Sequence, residues 1–220
     1  MTVRELWSSS IGKKAVMAVT GLLMVGFVVA HMIGNLQLFV GPEKFNAYSA
    51  FLQGPVKELV WALRAVLIAA VVLHAIAAVQ LTQRSRAARP VPYAKRDPQV
   101  STFASRTIRW GGVLLLLFIP IHILHFTTGS LPSFGAFVHG DVYANVLTSF
   151  RIWWVTLFYV VSMLALGLHL YHGAWSSVRS IGVAPASPAP LHRRVALLLA
   201  VVVWLGFTAV PVAVFLDVVR

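Results

Sequence analysis

Five long stretches without a charged side chain constrain this sequence more than any other feature. They cover residues 15–40, 65–83, 110–140, 152–178 and 195–216, although the third is continuously apolar only to about residue 126. Each is long enough to cross a hydrocarbon core of ~30 Å as a helix that rises about 1.5 Å per residue. In lipid such a segment must be helical, because its own backbone has to satisfy its hydrogen bonds.

The stretches predict an all-α integral membrane protein, in which five transmembrane helices form one bundle. We predict a single membrane domain over residues 1–220, with helices near 12–40, 57–83, 106–129, 151–178 and 193–217. The chain is 59% hydrophobic and only 11% charged, whereas a soluble domain carries about a quarter charged residues. It has no cysteine, which excludes disulfides, thiolate-bound iron–sulfur clusters, cysteine-attached haem and a cysteine nucleophile.

Basic residues indicate the orientation of the helices. Thirteen of the 18 lysines and arginines fall in the N-terminal segment and in the second and fourth loops. Four lie on the opposite side, and Arg64 lies inside the second predicted helix. The positive-inside rule therefore predicts a cytoplasmic N-terminus. The net charge of +12 is read as a topology signal, with no nucleic-acid partner expected.

This orientation assigns the connecting segments to sides of the membrane. Residues 41–52 are predicted to form a short amphipathic helix along the external surface. The Pro-rich inner loops, residues 84–105 and 179–191, are predicted to be extended connectors.

Histidines are the main candidates for functional residues in this sequence. Six of the eight lie in the first four predicted helices: His31, His74, His122, His125, His169 and His172. A single membrane histidine is usually explained by an interhelical hydrogen bond. Four consecutive helices that each hold one indicate a function, because ionisable groups are costly in lipid.

The depths of these histidines sort them into two layers. Counted along the helices, His31 and His122 lie in the outer half of the membrane, and His74 and His169 lie in the inner half. Nine or ten residues separate the layers, which is about 14 Å along a helix. Two imidazoles from facing helices saturate a haem iron and give an electron carrier. Zinc favours three or four ligands at one depth. The layers therefore predict two b-type haems.

Two helices offer a second candidate at i+3. Depth favours His122 over His125 and His169 over His172 as iron ligands, and the losing members are candidates for contacts with a haem propionate or a quinone. Arg64 is a further candidate for a propionate of the outer haem, against the alternative that it snorkels to the interface. Small residues that could admit a porphyrin, or simply pack helices, are Gly26, Gly34, Gly111 and Gly112.

With these residues in place, the chain resembles the cytochrome b membrane-anchor subunit of succinate dehydrogenase/fumarate reductase (complex II), of the single-chain, five-helix, two-haem type. The resemblance covers almost the whole chain and rests on an ordered set of segments. They are His31-Met-Ile-Gly-Asn-Leu-Gln, Lys44-Phe-Asn-Ala-Tyr-Ser-Ala-Phe, Leu73-His-Ala, His122-Ile-Leu-His-Phe-Thr-Thr-Gly and Leu168-His-Leu-Tyr-His-Gly-Ala-Trp-Ser.

The resemblance implies a haem held by His74 and His169 near the cytoplasm and a haem held by His31 and His122 near the outside. It also implies a flavoprotein and an iron–sulfur protein docked on the cytoplasmic face, and a quinone, expected to be menaquinone, as the electron partner. The chain would be a subunit that does not itself act on succinate, in the cell membrane of a bacterium. Other functions left open are a cytochrome b561-like protein, a hydrogenase or formate dehydrogenase cytochrome subunit, and a haem-free transporter.

Overall fold

A computed structural model describes residues 2–89, 91, 102–180, 182 and 190–220. Within these ranges the chain forms eight α-helices and two short 3-10 turns. In chain order the α-helices are α1 (Val3–Ser8), α2 (Ser10–Leu36), α3 (Pro42–Gln53), α4 (Lys57–Ala87), α5 (Phe103–Phe126), α6 (Val142–Phe150), α7 (Trp153–Ser180) and α8 (Pro190–Phe215). The prediction of an all-helical chain is confirmed for this part of the sequence.

Five of the described helices are long and apolar enough to cross a membrane: α2, α4, α5, α7 and α8. They correspond to the five predicted spans, with boundaries that differ by a few residues. The first span was predicted to continue to residue 40, but α2 ends at Leu36 and a 3-10 turn, Gln37–Val40, follows it. The third begins earlier than predicted because Thr102 caps α5, accepting a hydrogen bond from the backbone N–H of Ser105.

The central helix of the bundle is α7, which packs against α2, α5 and α8, while α4 packs along α2. Large apolar side chains on the outward faces are exposed, among them Ile68, Leu117 and Leu198. An apolar surface of this extent is typical of helices that contact lipid.

A cap of two short helices covers one end of the bundle. The short helix predicted over residues 41–52 is present as α3, whereas α6 was not predicted. The Asn46 side-chain amide joins them: it donates to Asp141 Oδ1 at 2.9 Å and accepts from the Tyr143 backbone N–H at 3.0 Å. Asp141 also accepts from the Ala144 backbone N–H as the N-cap of α6. These hydrogen bonds hold the pKa of the Asp141 carboxyl below its usual range.

The opposite end of the bundle is joined through Arg84 at the end of α4. Its guanidinium donates to the Ser8 backbone carbonyl at 2.8 Å and to Ser10 Oγ at 3.3 Å, which ties α4 to the corner between α1 and α2. Most of the two loops predicted to be extended connectors lies outside the described residues.

Candidate functional site

The structure brings the membrane histidines together as two pairs. His31 on α2 faces His122 on α5, with ring centroids 5.8 Å apart, and we call these two the outer pair. His74 on α4 faces His169 on α7, with ring centroids 6.2 Å apart, and we call these two the inner pair. These are the partners that the depths in the sequence predict.

The two pairs lie at different levels of the bundle. A Cβ atom at Gly21 of α2 would lie 3.3 Å from His74, and one at Gly112 of α5 would lie 3.6 Å from His169. Both glycines therefore mark the level of the inner pair. The outer pair lies ten residues further along each of the same two helices. Ten residues of α-helix span about 15 Å. The two levels are therefore about 15 Å apart along α2, and the same distance apart along α5.

The spacing within each pair suits one metal between two rings. An imidazole nitrogen binds a metal at about 2.0–2.1 Å, so two rings on opposite sides of one metal have centroids about 6.4 Å apart. The separations of 5.8 and 6.2 Å are slightly shorter than this value. Each pair supplies two nitrogen donors, the number of axial positions on a haem iron. Within the described residues, no group of three or more histidine or carboxylate side chains is arranged to hold a metal ion.

Hydrogen bonding assigns the tautomer of His74. Its Nδ1 lies 3.0 Å from the Met17 backbone carbonyl and 3.3 Å from Thr20 Oγ1. A carbonyl oxygen can only accept, so Nδ1 carries the hydrogen and Nε2 keeps its lone pair. The ring is thus anchored through one nitrogen while the other is free to bind a metal, as in most metal-ligating histidines. Across the pair, His169 Nδ1 is buried without a partner in the described part of the chain.

Glycines leave space beside the inner pair. At Gly21 and Gly112 no side chain separates the helix backbone from the imidazole of His74 or His169. A flat macrocycle needs this kind of close approach to a backbone. Of the glycines singled out in the sequence, Gly112 lies at this site and Gly34 packs against the ring of Tyr48. A Cβ at Gly111 would lie 3.8 Å from the Ala165 backbone carbonyl oxygen, and a Cβ at Gly26 would meet nothing within 4 Å. Gly21 was missed, because nothing in its immediate sequence marks it.

Aromatic rings surround the outer pair. Phe27 stacks on His31 with ring centroids 5.3 Å apart, and Phe207 of α8 approaches the same histidine at 5.8 Å. Phe118 stacks on His122 at 5.5 Å. The outer pair therefore sits in an apolar cage, whereas the inner pair sits between glycines.

The two histidines on α5, and the two on α7, have different surroundings. His125 is 4% exposed, and both its ring nitrogens have partners, since Nδ1 lies 2.8 Å from the Tyr159 hydroxyl and Nε2 lies 2.8 Å from Ser149 Oγ. His122 instead faces His31, in agreement with the preference based on depth. His172 lies one turn beyond His169, next to Trp175 at a centroid distance of 5.6 Å, and its Nδ1 is buried without a partner among the described residues.

Arg64 lies on α4 ten residues before His74, which places it near the level of the outer pair. Arg64 is half-buried as a residue, and its guanidinium carbon lies 4.9 Å from the ring centroid of Trp61. Neither of the two ion pairs found among the described residues involves Arg64. One of those pairs joins the exposed side chains of Lys57 and Glu58, with 3.7 Å between Nζ and Oε1.

Several partners of the histidines were missed at the level of sequence. Tyr159, Ser149, Met17 and Thr20 contact the imidazoles from other helices, so no local spacing reveals them. The one usable signal is Tyr159, a polar-tipped side chain inside a long apolar stretch at the depth of the outer pair.

Comparison with known proteins adds no assignment to this site. No family model, no curated protein and no solved structure matches the chain.

Proposed function

We propose that this chain is the membrane-anchor cytochrome b subunit of a succinate dehydrogenase/fumarate reductase complex, which carries electrons through two b haems between an iron–sulfur subunit and a quinone. The observation that carries the proposal is the arrangement of four histidines from four helices as two facing pairs at two levels of the bundle. The resemblance of the sequence to this subunit supports the same function.

Each pair would hold one haem. His31 and His122 are the proposed ligands of one, and His74 and His169 of the other. When bound between two imidazoles, a haem supplies one-electron transfer without an open position for oxygen chemistry. The protein's contribution is to orient the rings: the Met17 carbonyl holds His74 by Nδ1, so that Nε2 keeps the lone pair that a metal would need.

Buried donors one turn from the inner pair suit a haem carboxylate. His172 Nδ1, Trp175 Nε1 and two guanidinium nitrogens of Arg193 are buried without acceptors within the described ranges. The Arg193 guanidinium lies 5.0 Å from the Trp175 ring centroid, so these groups form one cluster. A buried donor without an acceptor costs about 1–3 kcal/mol, and a propionate would supply the acceptor. At the outer level, Arg64 is the proposed counterpart, because no carboxylate of the described chain pairs with it.

The resemblance implies the partners, and the predicted topology indicates which end of the bundle would meet them. Thirteen basic residues lie on the predicted cytoplasmic side. In the cell membrane of a bacterium, this cytoplasmic end of the bundle would face the iron–sulfur and flavoprotein subunits. The quinone, proposed to be menaquinone, would react near the outer pair, where Arg64 and Glu58 provide polar groups. Electrons would then cross the membrane along the chain, and moving one charge across the whole potential is worth ~2.3 kcal/mol per 100 mV.

The test is purification of the intact complex, followed by a reduced-minus-oxidised spectrum after addition of succinate. We expect a flavoprotein and an iron–sulfur subunit to co-purify, and succinate to reduce the haems. Haem bands with other partners would instead indicate a different dihaem cytochrome. Absence of haem bands after gentle purification would favour a transporter.

Proteoliposomes test the route through the outer pair. Succinate:quinone turnover should fall in His31→Ala and should depend on an imposed membrane potential in the wild type. If neither the His31→Ala substitution nor the membrane potential changes turnover, the outer pair lies outside the electron-transfer pathway.

A further inference from the structure

A continuous series of hydrogen bonds leads away from the outer pair. His122 Nδ1 lies 3.2 Å from the Tyr159 hydroxyl, which lies 2.8 Å from His125 Nδ1. His125 Nε2 lies 2.8 Å from Ser149 Oγ, and that hydroxyl donates to the Asn145 backbone carbonyl at 2.7 Å. We call this series the Tyr159 chain. It joins α5, α7 and α6, and its three inner members are 5%, 4% and 2% exposed at Tyr159, His125 and Ser149.

The far end of the Tyr159 chain fixes the direction of every bond in it. A carbonyl oxygen only accepts, so Ser149 uses its single hydroxyl hydrogen on Asn145. The Ser149 oxygen must then accept from His125 Nε2–H. The partners of the buried His125 imidazole are the hydroxyls of Tyr159 and Ser149 and the Phe134 backbone carbonyl. None of them is charged, so the ring is neutral and carries one N–H. His125 Nδ1 therefore has no hydrogen and accepts from the hydroxyl of Tyr159.

The same count of hydrogen-bond donors and acceptors assigns the hydrogen on His122 of the outer pair. Because Tyr159 donates its only hydrogen to His125, its oxygen can only accept from His122. His122 Nδ1 thus carries the hydrogen and Nε2 keeps its lone pair. A backbone carbonyl in α6 in this way determines which nitrogen of a histidine in α5 is available for a metal. His125 itself has no free lone pair left for a metal, which favours His122 as the proposed ligand.

We propose that Tyr159 is a positioning residue for His122, supported by His125 and Ser149, and that its hydrogen bond lowers the reduction potential of the outer haem. This inference rests on the proposed function, since it assumes that His122 binds iron. A hydrogen bond from the non-ligating N–H makes an imidazole a stronger electron donor. A stronger donor stabilises the oxidised metal, so loss of the bond should raise the potential.

The outer and inner pairs differ in a way that makes this testable. His74 is held by a backbone carbonyl of Met17, which no side-chain substitution removes. His122 is held by a phenol hydroxyl, which Tyr159→Phe removes while the ring remains packed against Phe118 and Phe150 at 5.2 and 5.0 Å. The inner pair is therefore an internal reference within the same molecule.

The experiment is redox titration and low-temperature electron paramagnetic resonance of Tyr159→Phe in the intact complex. The outer haem signals are identified first as those lost in His31→Ala. We expect Tyr159→Phe to keep two haems, with a raised potential and a shifted resonance for the outer one and no change for the inner one. Ser149→Ala should produce a smaller shift in the same direction. The matched control is Tyr171→Phe on the same helix, which should leave both haems unchanged, since Tyr171 packs against an apolar cluster that includes Leu170 and Val203.

Each outcome decides the inference. Unchanged outer signals in Tyr159→Phe, or equal shifts of both haems, would overturn it. Loss of the outer haem alone would support it. If Tyr159→Phe loses both haems, Ser149→Ala decides: a shift of the outer haem alone supports the inference, and no shift overturns it. A wild-type complex without haem would overturn the proposed function instead, so the two failures are distinguishable.

Discussion

The inner and outer histidine pairs have similar spacing but are built in different ways. The inner pair has a glycine beside each ring, Gly21 by His74 and Gly112 by His169, and its anchor is a backbone carbonyl. The outer pair is enclosed by aromatic rings, and its anchor is the hydroxyl of Tyr159. The inner pair therefore has space beside its rings because side chains are absent, whereas the rings of the outer pair are packed against other aromatic side chains.

This difference predicts which substitutions the inner pair and the outer pair should each tolerate. Where space comes from a missing side chain, adding volume is the most damaging change, because packed interiors do not yield easily. Where the site depends on a hydroxyl and its partners, removing one polar atom should alter the ligand while the pocket remains. The two pairs should therefore fail separately.

The largest expected effect comes from the ligands themselves. His74→Ala or His169→Ala should remove the haem of the inner pair and leave the other in place. His31→Ala or His122→Ala should remove only the haem of the outer pair. The physical reason is that each proposed haem would lose one of the two imidazoles that would hold it. Haem content per chain and the reduced-minus-oxidised spectrum measure the result.

The control for these variants is His125→Gln, which should retain both haems because His125 is engaged through both nitrogens. Loss of both haems in every single ligand variant, or loss of neither, would show that the pairs are not separate sites.

Labelling of introduced cysteines decides which pair is truly inner. Ala94→Cys should react only from the cytoplasmic side and Ser133→Cys only from outside, since the basic residues predict a cytoplasmic N-terminus. The chain has no native cysteine, so each variant carries a single thiol. The reverse labelling pattern would exchange the names inner and outer throughout.

Added volume at a glycine should damage one pocket only. Gly21→Leu should lower occupancy of the inner haem severalfold and spare the outer haem, because even a Cβ there lies 3.3 Å from His74 Cε1. The matched control is Gly26→Leu on the same helix, because Gly26 is exposed and a Cβ there meets nothing within 4 Å, unlike a Cβ at Gly21. The measurement is the ratio of the two haem signals, and equal loss in both variants would contradict the role given to Gly21.

These contacts show where sequence reasoning succeeds and where it stops. The five spans follow from uninterrupted apolar length, and the pairing of His31 with His122 follows from depth, which depends only on position along a helix. The Tyr159 chain could not be predicted, because its members come from three helices and meet through side-chain direction. The cap helix α6 was missed although its N-cap is a local signal, since Asp141 accepts from the backbone N–H of Ala144 three residues later. Its contact with Asn46, 95 residues away in the chain, could not be predicted.

The smallest expected effect concerns the cap over the end of the bundle. Asn46→Ala removes its hydrogen bonds to Asp141 and Tyr143 and should lower the free energy of unfolding by about 1 kcal/mol. Because the pKa of Asp141 is lowered in the fold, its contribution is present above the ordinary value of 3.8 and is lost as the pH falls through the lower folded value. The difference between wild type and variant in thermal unfolding should therefore shrink at acid pH. A difference that does not vary with pH would remove Asp141 from this account.

The central claim is that two facing histidine pairs hold two haems. The most direct test is a pyridine haemochrome assay on the purified wild-type complex, with the amount of this chain measured independently. The account predicts two b-type haems per chain. A ratio of one, or of zero, would contradict it.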